Sequence, residues 1–179
     1  MASYGDTVTD KGISDRGLFE RAALYIPGYR GYRNKNIRRE VDKEVRREVV
    51  RSLTGCKNDL GSIQKNIIAN GDIDNAKECD RIKVKTDTYL KRIESAEAGY
   101  SGLWEAMKTL DQELKDVVEW DAKLLEGSAD LRELTKKLVE DTDNGKLDVK
   151  TDLRKIERLV DELTDGLNER MKVLKGLTE

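Results

Sequence analysis

Apolar residues that recur every three or four positions are the feature that most constrains the fold of this chain. Leu, Val and Ile follow this spacing through long stretches of a chain in which 39% of all residues are charged and 37% are apolar. The spacing places the apolar side chains on one face of an α-helix. Steps that average about 3.5 residues are typical of helices that pack side by side with a left-handed supercoil. The pattern therefore predicts an all-α fold of long amphipathic helices.

Four such stretches predict four long helices joined by turns. The predicted segments are a flexible tail at 1–14, a short helix with an aromatic loop at 15–32, and long helices at 33–70, 73–98, 103–141 and 147–176. Asn70-Gly71-Asp72 and Asn144-Gly145 are turn signals, because glycine ends helices and aspartate caps the next one. Short turns favour antiparallel neighbours. We expect residues 15–179 to form one elongated antiparallel bundle of about four long helices with coiled-coil-like packing.

The aromatic residues gather at one predicted end of this bundle. The chain has one Phe, two Trp and six Tyr, and several of them lie in or near the 15–32 segment. If the second long helix runs back along the first, the loop after it returns to this same end. The candidates for contact with a partner protein are Phe19, Tyr25, Tyr29, Tyr32, Tyr100 and Trp104. The alternative is that these rings only fill the end of the bundle, because buried aromatic rings contribute large packing energies.

Asp121 is the carboxylate that does not fit the helical pattern. It falls on the apolar stripe of the third long helix, between Val117 and Leu124. A carboxylate on a buried stripe must be paired or hydrogen-bonded. We expect an arginine or a tyrosine hydroxyl from the segment 29–33 to be its partner. A buried structural pair is the favoured interpretation, with a solvent-facing position or a catalytic carboxylate as the alternatives.

The composition argues against several classes of function. The chain contains no histidine, which removes the commonest general base and transition-metal ligand. The segment 141–148 resembles a calcium loop, but placing Gly145 at the required sixth position puts Thr142 at the third. The arginines of the first long helix alternate with glutamates three residues away, so they form no clean basic face for nucleic acid. We expect no enzymatic activity, no cofactor and no metal, and nucleic acid is an unlikely partner.

The remaining sequence signals concern location. The chain has no run of about 18 apolar residues, the length that a membrane-spanning helix requires. The N-terminus also lacks the features of a secretory signal. Cys56 and Cys79 are predicted to lie about 10 Å apart along their helices, too far for a disulfide. We expect a cytoplasmic protein with buried thiols. Residues 15–26 form a short amphipathic helix, so contact with a membrane surface is the alternative to packing on the bundle.

Two motifs carry a resemblance to a known group of proteins. The first is Ile26-Pro27-Gly28-Tyr29-Arg30-Gly31-Tyr32, and the second is Gly99-Tyr100-Ser101-Gly102-Leu103-Trp104. They resemble an uncharacterised family of helical bacterial and archaeal proteins with an IPGY-x-GY entry and a GYSGL-aromatic loop. The resemblance implies that the two aromatic loops form one unit, and it implies no catalytic residues.

These observations predict a non-enzymatic helical scaffold or adaptor that binds another protein, with the aromatic end as the favoured contact. A peripheral membrane protein that uses its N-terminal amphipathic helix is the alternative. The identity of the partner is not encoded in any recognised motif, and a homo-oligomer is also left open.

Overall fold

Long helices dominate the structure. The computed structural model describes residues 17, 20–31, 35–95 and 111–176, and these residues contain no β-strand. Residues 20–25 are helical, and Pro27–Gly31 form a turn of 3-10 helix. The long helices are Lys35–Ala69 (α1), Ile73–Ser95 (α2), Asp111–Asp143 (α3) and Lys150–Gly176 (α4). The prediction of an all-α bundle is confirmed.

The helices pair as two hairpins, α1 with α2 and α3 with α4, and each turn contains a glycine with positive φ. The φ angle is 79° at Gly71 and 88° at Gly145, a conformation that residues with a Cβ rarely adopt. Asp72 caps α2, because its side chain accepts a hydrogen bond from the backbone N–H of Asn75 at 3.1 Å. The caps predicted for the first turn are therefore confirmed.

The second turn is longer than the sequence pattern predicts. α4 begins at Lys150, whereas the apolar spacing predicts a start at residue 147. Lys146 lies in this turn, and its ammonium group contacts Asp141 at 3.0 Å and Asp152 at 2.8 Å. A lysine thus occupies the centre of the acidic segment that superficially resembles a calcium loop. Its ion pairs join the end of α3 to the first turn of α4.

The two hairpins pack side by side, with α1 against α3 and α2 against α4. Hydrogen bonds across both interfaces join residues that are 76 positions apart, namely Thr135–Asp59, Asn66–Thr142, Arg81–Glu157 and Lys85–Asp161. A constant offset means that the paired helices run in the same direction. The second hairpin therefore lies beside the first almost as a translated copy.

The order of helices around the bundle differs from the expectation that every helix neighbours the next one. Consecutive helices are neighbours within each hairpin, as expected. In contrast, α2 and α3 lie diagonally opposite each other, and each of them packs on both α1 and α4. Residues 96–110 separate α2 from α3 in the sequence. About fifteen residues span up to about 50 Å when extended, which is ample to cross a bundle whose neighbouring axes are about 8–10 Å apart.

The predicted stripes form most of the core. On α1, every stripe residue from Val41 to Ile67 is buried, including Cys56, and on α4 the stripe is buried from Leu153 to Leu167. Ile73, predicted to belong to the α2 stripe, is 52% exposed because it is the first residue of its helix and lies at the end of the bundle. On α3 the stripe includes a column of buried polar residues seven positions apart, namely Asp121, Ser128, Thr135 and Thr142.

Both cysteines are free and buried, as the spacing argument predicts. The thiol of Cys79 donates a hydrogen bond to the backbone carbonyl of Leu60 at 3.2 Å. Burial raises the pKa of each thiol to about 12, so both remain protonated at neutral pH. Since the thiolate is the reactive form, neither cysteine is suited to redox or nucleophilic chemistry in the folded chain.

Two glycines inside α1 provide a test of the packing. A Cβ at Gly61 would contact nothing within 4 Å, whereas a Cβ at Gly55 would clash with the Arg132 side chain, which pairs with Asp59. Gly61→Ala should raise the free energy of unfolding by about 1 kcal/mol through helix propensity. Gly55→Ala should gain less or lose stability, because Arg132 must move. Urea denaturation of both variants measures the difference, and equal gains would contradict the described α1–α3 contact.

Candidate functional site: a buried arginine–aspartate network

Arg170 is a fully buried cation that joins two helices of the bundle to α4. Its Nε donates to Asp121 Oδ1 at 2.5 Å, and its Nη2 donates to Asp42 Oδ1 at 2.6 Å. Asp42 lies on α1 and Asp121 on α3, and both are also fully buried. Taking such charges out of water is costly unless they are paired and hydrogen-bonded. The guanidinium therefore bridges two carboxylates that neither α1 nor α3 could bury alone.

Asp121 has a second partner in the N-terminal segment. The hydroxyl of Tyr29 donates a hydrogen bond to Asp121 Oδ2 at 2.8 Å. Tyr29 lies in the 3-10 turn, within the segment 29–33 from which the sequence predicts a partner for Asp121. The two oxygens of Asp121 are thus shared between Arg170 and Tyr29. A charged acceptor makes each of these hydrogen bonds stronger than a neutral one.

Asp42 is paired within its own helix as well. Arg46 lies one turn further along α1, and its Nη2 donates to Asp42 Oδ2. Arg46 is partly buried, with 13% of its side chain exposed. Among the described residues, the network therefore contains two aspartates and two arginines, whose formal charges balance. Tyr29 adds a hydrogen bond to this set without adding a charge. We call these five residues the Arg170 network.

The position of Asp121 also decides how its ionisation affects stability. Burial raises the pKa of Asp121 above its ordinary value, while Arg170 favours the ionised form and Asp42 opposes it. A carboxyl group with a raised folded-state pKa stabilises the fold at pH values below its unfolded-state pKa. This contribution is lost as the pH rises through the folded-state pKa. The pH dependence of stability that Asp121 contributes is thus opposite in sign to that of a surface aspartate in an ion pair, whose folded-state pKa is lowered.

Tyr89 of α2 lies beside the network without joining it. It is fully buried, and its hydroxyl has no hydrogen-bond partner among the described residues. Burial raises the pKa of Tyr89, and the nearby charge of Arg170 opposes that shift. An unsatisfied buried hydroxyl normally costs stability. The four long helices all contribute a side chain to this region of the core, and the N-terminal segment adds Tyr29.

The burial of the network limits what chemistry it can perform. Because Asp121 has no exposed surface, a substrate could reach it only if the bundle opened. In the part of the chain that the structure describes, no three Cys, Asp or Glu side chains are grouped closely enough to hold a metal ion. Paired buried charges are best attested as devices that specify one packing arrangement. The network is therefore suited to positioning the helices and the N-terminal segment.

The aromatic candidates separate into different environments. Tyr29 is fully buried, with its ring in the core and its hydroxyl bound to Asp121, so it presents no surface to a partner in this structure. Tyr25 is partly buried, and burial raises its pKa. The other four candidates, Phe19, Tyr32, Tyr100 and Trp104, lie outside the described residues.

Three members of the network were not predicted, namely Asp42, Arg46 and Arg170. The sequence contained a signal for Arg170. The α4 stripe alternates steps of three and four through 153, 156, 160, 163 and 167, and the next position in that alternation is 170. The apolar residue Met171 is adjacent, so hydrophobicity alone favours Met171 over Arg170 as the next residue of the stripe. A charged residue on a strictly alternating stripe is a usable indication of a buried ion pair.

The surface near the network presents exposed apolar groups. Leu24 on the N-terminal segment is 82% exposed, the most exposed large apolar side chain in the described part of the chain. A groove of about 470 Å³ lies between the end of this segment, at Ile26–Gly28, and α1. Its walls combine an apolar base with charged side chains, and its lining residues are Ile26, Pro27, Gly28, Glu40, Val41, Lys43, Glu44 and Arg47.

Comparison with known proteins identified no relative of this chain. No family model matches the chain, and no curated protein or solved structure gives a significant match. The resemblance to the IPGY-x-GY family thus stays a prediction. Within the described residues, no helix is both long enough and apolar enough to cross a membrane.

A pair of tyrosine substitutions tests the hydrogen bond in the network. Tyr29→Phe should lower the free energy of unfolding by about 1.5–3 kcal/mol, because it removes a donor to a buried carboxylate. Tyr89→Phe is the matched control, since it removes a buried hydroxyl that has no hydrogen-bond partner among the described residues, and it should be neutral or stabilising. Chemical denaturation of both variants gives the comparison. Equal losses would show that Tyr29 contributes only its ring.

A second pair tests the central cation. Arg170→Met should cost about 3–5 kcal/mol at neutral pH, because it strands buried carboxylates. Without the guanidinium, burial raises the pKa of Asp121 further, so the loss should shrink as the pH falls and the carboxyl group takes up a proton. Lys172→Met, on the exposed face of the same helix, is the control. Urea melts between neutral and mildly acidic pH measure this, and a pH-independent loss would contradict the assignment.

Proposed function

We propose that this protein is a non-enzymatic helical scaffold or adaptor that binds another protein at the end of the bundle where the N-terminal segment packs. The observation that carries this proposal is the exposure of Leu24 beside the partly buried ring of Tyr25. Contiguous exposed apolar groups mark contact surfaces on soluble proteins. Leu24 and Tyr25 provide such a pair.

The groove beside this segment supports the same proposal. Its lining combines the apolar residues Ile26, Pro27 and Val41 with charged side chains of both signs from α1. An apolar centre with a polar rim is the usual anatomy of a protein–protein contact. The mixed rim, with Glu40 and Lys43 among its members, suits a polypeptide better than a strongly charged polymer.

The absence of enzymatic activity is part of this proposal. The buried carboxylates of the Arg170 network are engaged with arginines and a tyrosine, which supports a structural role for them. The two thiols are protonated and buried. Free thiols are ordinary in reducing compartments, and they support a proposed cytoplasmic location.

The membrane alternative has less support from the packing of the N-terminal segment. Ala22 and Ile26, two of the residues that would enter a lipid surface, are buried against the bundle. Arg21 on the same helix pairs with Glu126 of α3. Flotation of the intact chain with anionic vesicles distinguishes the two proposals, since a membrane anchor would carry the protein to the lipid fraction.

Substitution at Leu24 tests the protein-binding proposal. Leu24→Ser should weaken capture of a partner from native-host lysate by about tenfold, equivalent to about 1.4 kcal/mol, while leaving the melting temperature unchanged. Leu147→Ser is the matched control, because Leu147 is 66% exposed in the turn that joins α3 to α4. Partner capture should survive that change. If both variants capture the partner as well as the natural sequence does, Leu24 is not part of the contact.

A further inference from the structure

The two hairpin turns contain the only Asn-Gly pairs of the sequence, Asn70-Gly71 and Asn144-Gly145. Both asparagines are exposed, and both glycines have positive φ. At such a pair, the backbone nitrogen of the glycine can attack the side-chain amide carbon of the asparagine, because glycine has no Cβ to hinder the approach. Each turn therefore carries the groups for an intramolecular reaction of its asparagine.

Backbone hydrogen bonds restrain the glycine nitrogen in both turns. The glycine N–H donates to a carbonyl in the last turn of the preceding helix, at 2.9 Å for Gly71 and 3.1 Å for Gly145. The next N–H, that of Asp72 or Lys146, donates one residue further back, which completes the same helix-ending motif in both turns. Attack requires rotation of the asparagine main chain, which breaks the hydrogen bond of the glycine. The rate of reaction therefore depends on how readily each turn opens.

The first turn is joined directly to α2. Ile73 is the first residue of α2, and its N–H donates to the carbonyl of Gly71 at 3.1 Å. Asp72 also caps α2, by accepting a hydrogen bond from the N–H of Asn75 at 3.1 Å. Rotation of the main chain at Asn70 would therefore have to displace the start of a helix.

The second turn is followed by main chain that is not helical. Residues 146–149 separate Gly145 from α4. In the described part of the chain, no backbone hydrogen bond is donated to the Gly145 carbonyl. Lys146 does pair with Asp141 and Asp152, but it does so through a long and flexible side chain. The main chain after this turn can thus absorb the rotation while α4 stays in place, and such short exposed segments open most easily.

We propose that Asn144-Gly145 is a site of spontaneous covalent modification, and that the fold favours this turn over Asn70-Gly71. The nitrogen of Gly145 forms a bond to Cγ of Asn144, and the bond from Cγ to Nδ2 breaks. The proton of the Gly145 N–H passes through water to the leaving nitrogen, which departs as ammonia. Water then opens the cyclic imide at either of its carbonyls and leaves aspartate or isoaspartate at position 144. No group is oxidised or reduced.

Both products change the end of α3. Each replaces a neutral amide with a carboxylate, so the chain becomes one unit more negative than its formal net charge of −2. The new charge lies at a helix C-terminus, where the helix dipole disfavours it. Isoaspartate also inserts an extra carbon atom into the main chain, which moves the N–H of Gly145 away from the carbonyl of Thr142. Modification therefore weakens the connection between α3 and α4, and this inference does not depend on the proposed function.

Incubation of the unmodified chain in mildly alkaline buffer tests the proposal, with Asn70 as the internal control. Mass spectrometry of peptides follows the replacement of the amide by a carboxyl group at each turn. In the folded chain, Asn144 should react about tenfold faster than Asn70, equivalent to about 1.4 kcal/mol in the free energy of opening the turn. In concentrated urea the two rates should be similar, because each asparagine precedes a glycine and neither turn is formed.

Two further measurements identify the residue and the route. Asn144→Gln should abolish the change at this position, because ring closure from the longer side chain is much slower. Labelling with an isoaspartyl methyltransferase reports the route, since direct hydrolysis of the amide gives aspartate alone. Equal rates in the folded chain, or a faster reaction at Asn70, would overturn the proposal. Modification without isoaspartate at position 144 would overturn it as well, and so would a folded chain in which Asn144 stays intact while the unfolded chain reacts.

Discussion

The contact of Arg170 with Asp42 and Asp121 is the interaction on which the arrangement of this bundle depends. Apolar stripes bring helices together, but hydrophobic contact is non-directional and tolerates rotation and sliding. A buried guanidinium with two carboxylate partners tolerates neither, because each donor must meet its acceptor within hydrogen-bonding distance. One side chain of α4 thereby fixes the positions of α1 and α3. Through Asp121, it also sets where the 3-10 turn can enter the core.

The buried polar residues of α3 likewise fix its position along α1. Thr135 and Thr142, which follow Asp121 at multiples of seven residues, bind Asp59 and Asn66 of α1. A slip of α3 along α1 by seven residues, about 10.5 Å, would leave the apolar stripes facing each other. It would also separate these polar pairs and draw Asp121 away from Asp42. The polar contacts therefore favour a single register between two helices whose apolar faces would accept several.

The helices could be predicted from the sequence because they depend on local regularities. The stripe from Val41 to Ile67 follows from spacing alone, and the cap at Asp72 follows from residue type. Burial of Asp121 could be inferred because this carboxylate falls on the apolar stripe of α3. The α4 stripe indicates that Arg170 is buried, but its pairing with Asp121 could not be inferred, since the two residues are 49 positions apart and apolar spacing does not determine which helices face each other. The diagonal placement of α2 and α3 was missed for the same reason, because it depends on long-range packing.

Because the bundle is built from two hairpins, the chain can fold in two stages during synthesis. The contacts within each hairpin join residues that are close in sequence, so the first hairpin can form as soon as α2 leaves the ribosome. Its carboxylate at Asp42 must then remain hydrated until Arg170 is made, 128 residues later. The nascent first hairpin thus carries a carboxylate that has Arg46 of its own helix as a partner but still lacks Arg170, and the cost of dehydrating it disfavours premature burial of that face. Closure of the bundle is deferred until the last long helix supplies the matching cation.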